Sequence, residues 1–459
     1  MSNVILNSNQ NSALVSTIRE SDSAIKQFAI YSEDQIAPPH ALQILQIEPV
    51  NTLDDYASRT ISWDLPKQGY LCRLTLEFMY NFTTSAAKNN DHMTPLGLLN
   101  CIDSIELLSS GRRIQEFSKE VILAKMSDNP SHIGRAYEEG IGMITDPSAA
   151  DSGAAHIRCL LPLDMTFSSS LRHSINSDFV EPLRLRVRFT DGDIGRTWTT
   201  YVAANAGTGA AASGGHYNTK LGGVSISEAK LICEYRQLAA SDADAVVQAN
   251  FGSGQMTSLV STFAKAVPVI SSNALADPAV QEESPIHIDL TENAAVENLY
   301  VMAHVPRSDV ISALTAAPQS IGELALHECD RPFPLERIRL EASGQVLIDV
   351  PARYLQHFGK RQDGVQRYAG TSLEQDVAAY VYKIELGFDN RFCSNVVSFR
   401  ELSNPRLTVW PAKSEGFDNH NRRSAKLTGF KPTVNVVYEN KQLQTVSSAN
   451  GRINLSISN

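Results

Sequence analysis

From Tyr70 onward, apolar and polar side chains alternate with a period of two along much of this chain. The clearest run is Tyr70 to Phe82, where Cys72, Leu74, Leu76, Phe78, Tyr80 and Phe82 alternate with Arg73, Thr75, Glu77, Met79 and Asn81. Successive side chains of a strand point to opposite faces, so this run predicts a strand with one face in a core. Leu183, Leu185, Val187 and Phe189 repeat the pattern against Arg184, Arg186 and Arg188. Further strands are expected at His156 to Leu163, Ala229 to Tyr235, Leu299 to Val305, Tyr380 to Phe388 and Val434 to Tyr438. Helical spacing is confined to short stretches. Leu14, Val15, Ile18, Ile25, Phe28 and Ala29 share one helical face, Ser118 caps a short helix reaching Ser127, and a third helix is expected from Ser258 to Ala266.

One pair of strands occurs twice. Ile102 to Phe117 (IDSIELLSSGRRIQEF) reads as strand, tight Ser-Gly turn and strand. Leu335 to Val350 (LERIRLEASGQVLIDV) aligns with it without a gap, Ile105 on Ile338, Leu107 on Leu340, Ser110 on Ser343, Gly111 on Gly344 and Ile114 on Leu347. A two-residue hairpin turn needs positive φ, which glycine adopts without steric cost, so Gly111 and Gly344 are the candidate structural turns. The surrounding order repeats as well. The Leu299 strand stands in the place of Tyr70 to Phe82, SNPRLTVW (Ser403 to Trp410) answers VEPLRLRV (Val180 to Val187), and Val434, Val436 and Tyr438 answer Leu231, Cys233 and Tyr235.

The expected fold is therefore all-β: two tandem eight-stranded jelly rolls, a double jelly roll, with short helices and long loops. Residues 1–60 are expected as an N-terminal arm with a short helix, 61–240 as the first jelly roll, 241–285 as a connector, 286–448 as the second jelly roll and 449–459 as a C-terminal tail. The Gly/Ala/Ser/Thr-rich insertion from Asp191 to Gly223 contains GTGAAASGG, which superficially matches a phosphate-binding loop. It lacks the strand–loop–helix context and a following Gly-Lys-Ser/Thr, so a surface loop is expected.

Composition narrows the function. With 459 residues, 42% hydrophobic and 20% charged, the chain has the make-up of a globular protein with enough apolar residues for two cores. A net charge of −10 argues against packaging nucleic acid directly, and no sequence-specific nucleic-acid partner is expected. The basic stretch His420 to Arg423, with Lys426 and Lys431, is expected as a solvated loop paired with acidic neighbours. The N-terminus MSNVILNSNQNS has no signal-peptide pattern, and no apolar run reaches membrane-spanning length.

Catalytic patterns are lacking. The six cysteines (Cys72, Cys101, Cys159, Cys233, Cys329 and Cys393) form no CxxC pair and are expected as reduced core thiols. The eleven histidines include no HxH or HExxH, and no GxSxG elbow is present. The nearest thing to a ligand cluster is HECD, His327 to Asp330, which reads as loop chemistry. Trp63, Trp198 and Trp410 lie far apart, and 7% aromatic residues is low for a sugar-binding platform. The sequons at Asn81 and Asn454 are treated as chance. No catalytic residue, metal or cofactor is expected, and the chain is expected not to be an enzyme.

The segments SIELLSSGRRI, LRLRVRF, RIRLEASGQVLI and SNPRLTVW, in this order and duplicated, resemble the double jelly-roll major capsid proteins of tailless double-stranded DNA viruses. That group includes tectiviruses and corticoviruses, the adenovirus hexon and large algal viruses. The chain lacks the tryptophan-bearing signature strings of the algal viruses, so a tailless bacteriophage with an internal membrane is the expected source. The resemblance implies a homotrimer of pseudo-hexagonal outline that tiles an icosahedral shell in the virion after assembly in the host cytoplasm. It implies contacts with neighbouring capsomers, with penton or minor capsid proteins, and with internal membrane lipids through the N-terminal arm. It places the loops Gly140 to Gly153, Asp191 to Gly223, Gln356 to Val377 and Lys413 to Ser424 at the exterior or between subunits. Two alternatives stay open: a carbohydrate- or amide-directed enzyme or lectin on two jelly rolls, and a minor vertex or spike protein.

Overall fold

The computed structural model describes residues 40–51, 60–83, 91–93, 99, 102–128, 154–163, 175–189, 198–202, 216–219, 224–238, 255–276, 283–292, 295–306, 309, 332–357, 380–386, 397–413, 423, 427–447, 451 and 453–456. The helix expected at Leu14 to Tyr31 lies outside them. In chain order the first unit comprises β1 (His40–Ile47), β2 (Thr60–Asp64), β3 (Tyr70–Thr83), β4 (Asp91–Met93), β5 (Ile102–Ser109), β6 (Arg112–Phe117), α1 (Lys119–Asp128), β7 (Ala154–Leu163), β8 (Ile175–Asn176), β9 (Leu183–Phe189), β10 (Trp198–Val202), β11 (His216–Thr219) and β12 (Val224–Leu238). The second comprises β13 (Gln255–Lys265), β14 (Val269–Ile270), β15 (Ile286–Asp289), β16 (Ala295–His304), β17 (Leu335–Ala342), β18 (Gln345–Pro351), α2 (Ala352–His357), β19 (Tyr382–Glu385), β20 (Arg406–Pro411), β21 (Thr433–Ser447) and β22 (Ile453–Ser456).

Each unit is a sandwich of two antiparallel sheets, and the two units have the same strand order. In the first, a sheet ordered β1-β12-β3-β7, with β8 beside β3, faces a sheet ordered β2-β9-β5-β6. In the second, β13-β21-β16-β19, with β14 and β22 on β21, faces β15-β20-β17-β18. Strand by strand these are counterparts, and so are the registers. Ile105 lies opposite Val187 and Leu107 opposite Leu185, as Ile338 lies opposite Val409 and Leu340 opposite Leu407. Asp64 pairs with Arg184 at 2.6 Å across β2 and β9, and Asp289 with Arg406 at 3.1 Å across β15 and β20. Exposed pairs of this kind add little stability, about 0–1 kcal/mol. Register is held instead by burial, since a slip of one residue would turn every inward side chain to water.

The cores follow from the alternation. Trp63, Leu76, Phe78, Leu107, Leu185 and Val187 are buried between the first pair of sheets, with Phe78 edge-on to Trp63 and Phe189 at 6.4 and 6.0 Å. Leu299, Val301, Ile338, Leu340, Leu407 and Val409 fill the second. Ser118 caps α1 as expected, its Oγ accepting the Val121 N–H at 3.4 Å and its carbonyl the Ile122 N–H at 3.0 Å.

Four stretches differ from expectation. Ser258 to Ala266 is not helical: β13 pairs with β21 along its whole length, inside the expected connector. Its spacing fits either period, but Thr257, Val260 and Thr262 are β-branched, and an open edge of β21 is available to pair with. Within residues 1–60, β1 occupies the same edge position in the first unit. It escapes the alternation test because Leu42 and Ile44 put apolar side chains on the outward face as well. The Gly-rich insertion holds β10 and β11, which form a small sheet with β4. Within residues 449–459, β22 pairs with β21 rather than trailing as a tail.

Candidate assembly interface

Gly111 and Gly344 sit at the tips of the β5–β6 and β17–β18 hairpins. Ser110 and Gly111 have φ of +46° and +80°, Ser343 and Gly344 of +53° and +74°, so both turns carry two left-handed residues. Each hairpin also has a register shift after the same aligned position, Leu107 in one and Leu340 in the other. A β-carbon built on either glycine meets nothing within 4 Å. The cost of Gly111→Val or Gly344→Val is then backbone strain alone, and each variant is expected to lose about 1–3 kcal/mol in urea unfolding.

The two units meet where β6 and α1 of the first lie over the outer face of the second unit's larger sheet. Tyr300, Met302 and Val437 on that face belong to the same apolar cluster as the first core. This is why β16 is buried on both faces and loses its alternation. Lys125 of α1 places its ammonium over the rings of Phe117 and Phe263 at 5.6 and 4.6 Å. Glu120 of α1 pairs with Lys265 of β13 at 2.8 Å. Beside them a cleft of about 440 Å³ runs between β6 and β13, with Ile114 and Phe263 among its walls.

Burial pushes the Glu120 carboxyl up, but Lys265 and Lys119, with hydrogen bonds from Lys265 and the backbone, outweigh it and bring it from 4.5 down to about 2. A depressed folded-state pKa stabilises the fold above the unfolded value. The pair's contribution is therefore complete above pH 4.5 and fades as pH falls toward 2. Glu120→Gln is expected to lose about 1–2 kcal/mol at neutral pH, because a partly solvated Lys265 is left without its carboxylate. It is also expected to flatten the acid limb of the stability–pH curve, measured by denaturant titration from pH 7 to pH 2.

A polar network crosses the same sheet. Glu297 pairs with Lys441 at 2.8 Å, Lys441 donates to Ser261 Oγ at 2.7 Å, and Glu439 accepts from Asn298 at 2.7 Å and from the Tyr300 hydroxyl at 2.9 Å. Burial, with Glu439 nearby, raises the Glu297 carboxyl pKa against the pull of Lys441. Paired carboxylates can do acid–base work, but both of these are committed to side chains of the same sheet.

Candidate chemistry elsewhere is structural. Arg423 does not belong to a solvated loop: its side chain is 0% exposed, and Nη2 donates to the Ala276 carbonyl at 2.7 Å and to Glu283. Glu283 in turn accepts the Ala276 N–H at 3.0 Å. Charge counting could not reveal this, because an arginine in a basic, polar stretch carries no sign of burial. Cys72, Cys159 and Cys233 are buried free thiols, and burial pushes Cys159 and Cys233 up to about 12, so both stay neutral. His327 to Asp330 lies outside the described residues. Among those described, no group of three or more His, Cys, Asp or Glu residues could hold a metal ion, and no helix is long and apolar enough to cross a membrane. Of the expected exterior loops, Gly140 to Gly153 lies outside the described residues, as do residues 358–377 of Gln356 to Val377 and residues 414–422 and 424 of Lys413 to Ser424.

The C-terminal segment closes the joint between units. Gly451 packs on the first unit's backbone, where its carbonyl accepts the Glu181 N–H at 3.0 Å, and Arg112 donates to the Ile453 carbonyl at 3.2 Å. Ile453 is buried in the first core cluster. No sequence signal marked this contact, beyond a glycine near the end of the chain.

No family model and no curated protein sequence matches the chain. Solved structures do. The protein of the PBCV-1 virus capsid covers 93% of this chain and 99% of its own at 12% identity, with a TM-score of 0.62. The Faustovirus major capsid protein covers 95% and 98% at 9% identity (TM-score 0.55), and the mavirus major capsid protein 94% and 93% at 10% identity (TM-score 0.54). At such identities the likeness carries the fold and not the virus group. Strand order, register and near-complete coverage agree that the chain has the double jelly-roll fold of these capsid proteins.

Proposed function

We propose that this chain is a major capsid protein, a structural subunit that associates as a homotrimer and tiles an icosahedral virus shell. One observation carries the reading: a single chain holds two sandwiches with the same strand order and register, joined side by side, over nearly the whole length of viral capsid proteins of the same fold. Two similar units per chain give a trimer six similar units, which suits a flat hexagonal lattice better than three unlike lobes would. On this reading the protein acts in the virion, its partners are copies of itself and the proteins at shell vertices, and it performs no catalysis.

Size-exclusion chromatography with light scattering tests the proposal. A stable particle of three times the 50.2 kDa chain mass is expected. A monomer at micromolar concentration that hydrolyses glycans or amides contradicts it and favours the enzyme alternative. A copy number per particle matching only the vertices would favour a minor vertex protein.

A further inference from the structure

We propose that the outward face of β1 docks β18 and α2 of a neighbouring copy, repeating between chains the contact that β13 makes with β6 and α1 within one chain. The proposal rests on the capsid reading above and names the surfaces that reading needs.

The duplication supplies the correspondence. Ile44 pairs with Glu234 on β12, and Lys265 pairs with Val437 on β21. Since Cys233 and Val436 are counterparts, Glu234 answers Val437. Ile44 therefore answers Lys265, and Leu42 answers Phe263. On the other side, the gapless hairpin alignment places Val346 on Arg113 and Leu347 on Ile114. The helices that follow begin at aligned positions, Lys119 and Ala352, which places Tyr354 on Val121.

Within the chain these positions face each other across the joint: Arg113, Ile114 and Val121 line one wall of the cleft, and Phe263 and Lys265 the other. Their counterparts are exposed to solvent. Leu42 and Ile44 are each 59% exposed, Val346 and Leu347 each 49%, and Tyr354 43%. Large apolar side chains gathered on two separate surfaces are costly to leave in water and mark contact sites. The chemistry has also changed in a complementary way. Where the in-chain joint has the charged Arg113 and Lys265, the open surfaces carry Val346 and Ile44, so each free wall has an apolar patch, Leu42 with Ile44 on one and Val346 with Leu347 on the other. The two surfaces differ, so the contact is head-to-tail, and it closes into a ring of three chains when the in-chain joint and the contact between chains each turn by a sixth of a circle.

Leu42→Lys and Leu347→Glu, made singly and together in the full chain, test this by light scattering, with circular dichroism and melting to establish folding. Each single variant is expected to weaken association at least tenfold and to run as a folded monomer where the wild type is a trimer. The double variant is expected to return to the trimer, since the two charges then meet. Leu42→Cys combined with Leu347→Cys and treated with a bis-maleimide is expected to give covalent trimers that neither single cysteine variant gives. Folded single variants that remain trimeric, or a trimeric double-cysteine variant that does not cross-link between chains, overturn the assigned surfaces and leave the capsid reading standing. A monomeric wild type overturns both.

Discussion

Replacing Arg423 with alanine is expected to lower stability by about 3–5 kcal/mol, the range for removing one partner of a buried ion pair. Arg423 and Glu283 are 0% and 6% exposed at their side chains, so neither can turn to water when the other is lost. The same guanidinium also holds the Ala276 carbonyl, and Glu283 holds the Ala276 N–H, so the variant strands a carboxylate and a backbone carbonyl together. Urea unfolding should place the loss in the second unit, where hydrogen exchange around Leu275 and Gly429 should quicken, since these two residues are bonded through their backbones at 3.0 Å. Arg423→Met with Glu283→Met is expected to recover part of the loss, because a neutral pair of similar volume needs no compensating charge. An Arg423→Ala protein within about 1 kcal/mol of wild type would mean that the pair is solvated after all.

Gly451→Ala is expected to be nearly as damaging, at about 3 kcal/mol or more. Its φ of +66° already strains any L-residue, and the added β-carbon would stand 2.0 Å from the Phe179 carbonyl oxygen and 2.9 Å from the Val180 Cα. Both are backbone atoms of the first unit and cannot swing aside as a side-chain tip could. The C-terminal segment must then lift, giving up the Glu181 and Arg112 bonds and exposing Ile453. Faster hydrogen exchange at Val446 and Ile453, with the two sandwich cores little changed, is the expected signature. Gly111→Val lacks any such clash and serves as the comparison.

Much of this fold is visible in one sequence because half-buried strands write their geometry as alternation. LRLRVRF states both its buried face and its charged face, and the Ser-Gly turns mark their hairpins. The repeat adds what single strands cannot, since a second copy of the hairpin in the same order implies a second copy of the sandwich. The misses have physical causes. β1 carries apolar residues on both faces, with Leu42 and Ile44 left open on the outward one. β13 is an edge strand whose spacing fits two periods, and pairing with β21 decides between them. Arg423 and Gly451 act through partners far away in the chain, which no local pattern records. The proposed assembly surface is hidden for the same reason: Leu42 and Val346 stand out only when set beside Phe263 and Arg113, their counterparts at the joint between units.

Electron microscopy of the purified full-length chain tests the central claim most directly. Three-fold particles of pseudo-hexagonal outline, with six similar lobes, either separate or packed into flat lattices and closed shells, are the predicted result. Single two-lobed particles that do not associate as concentration rises would contradict it.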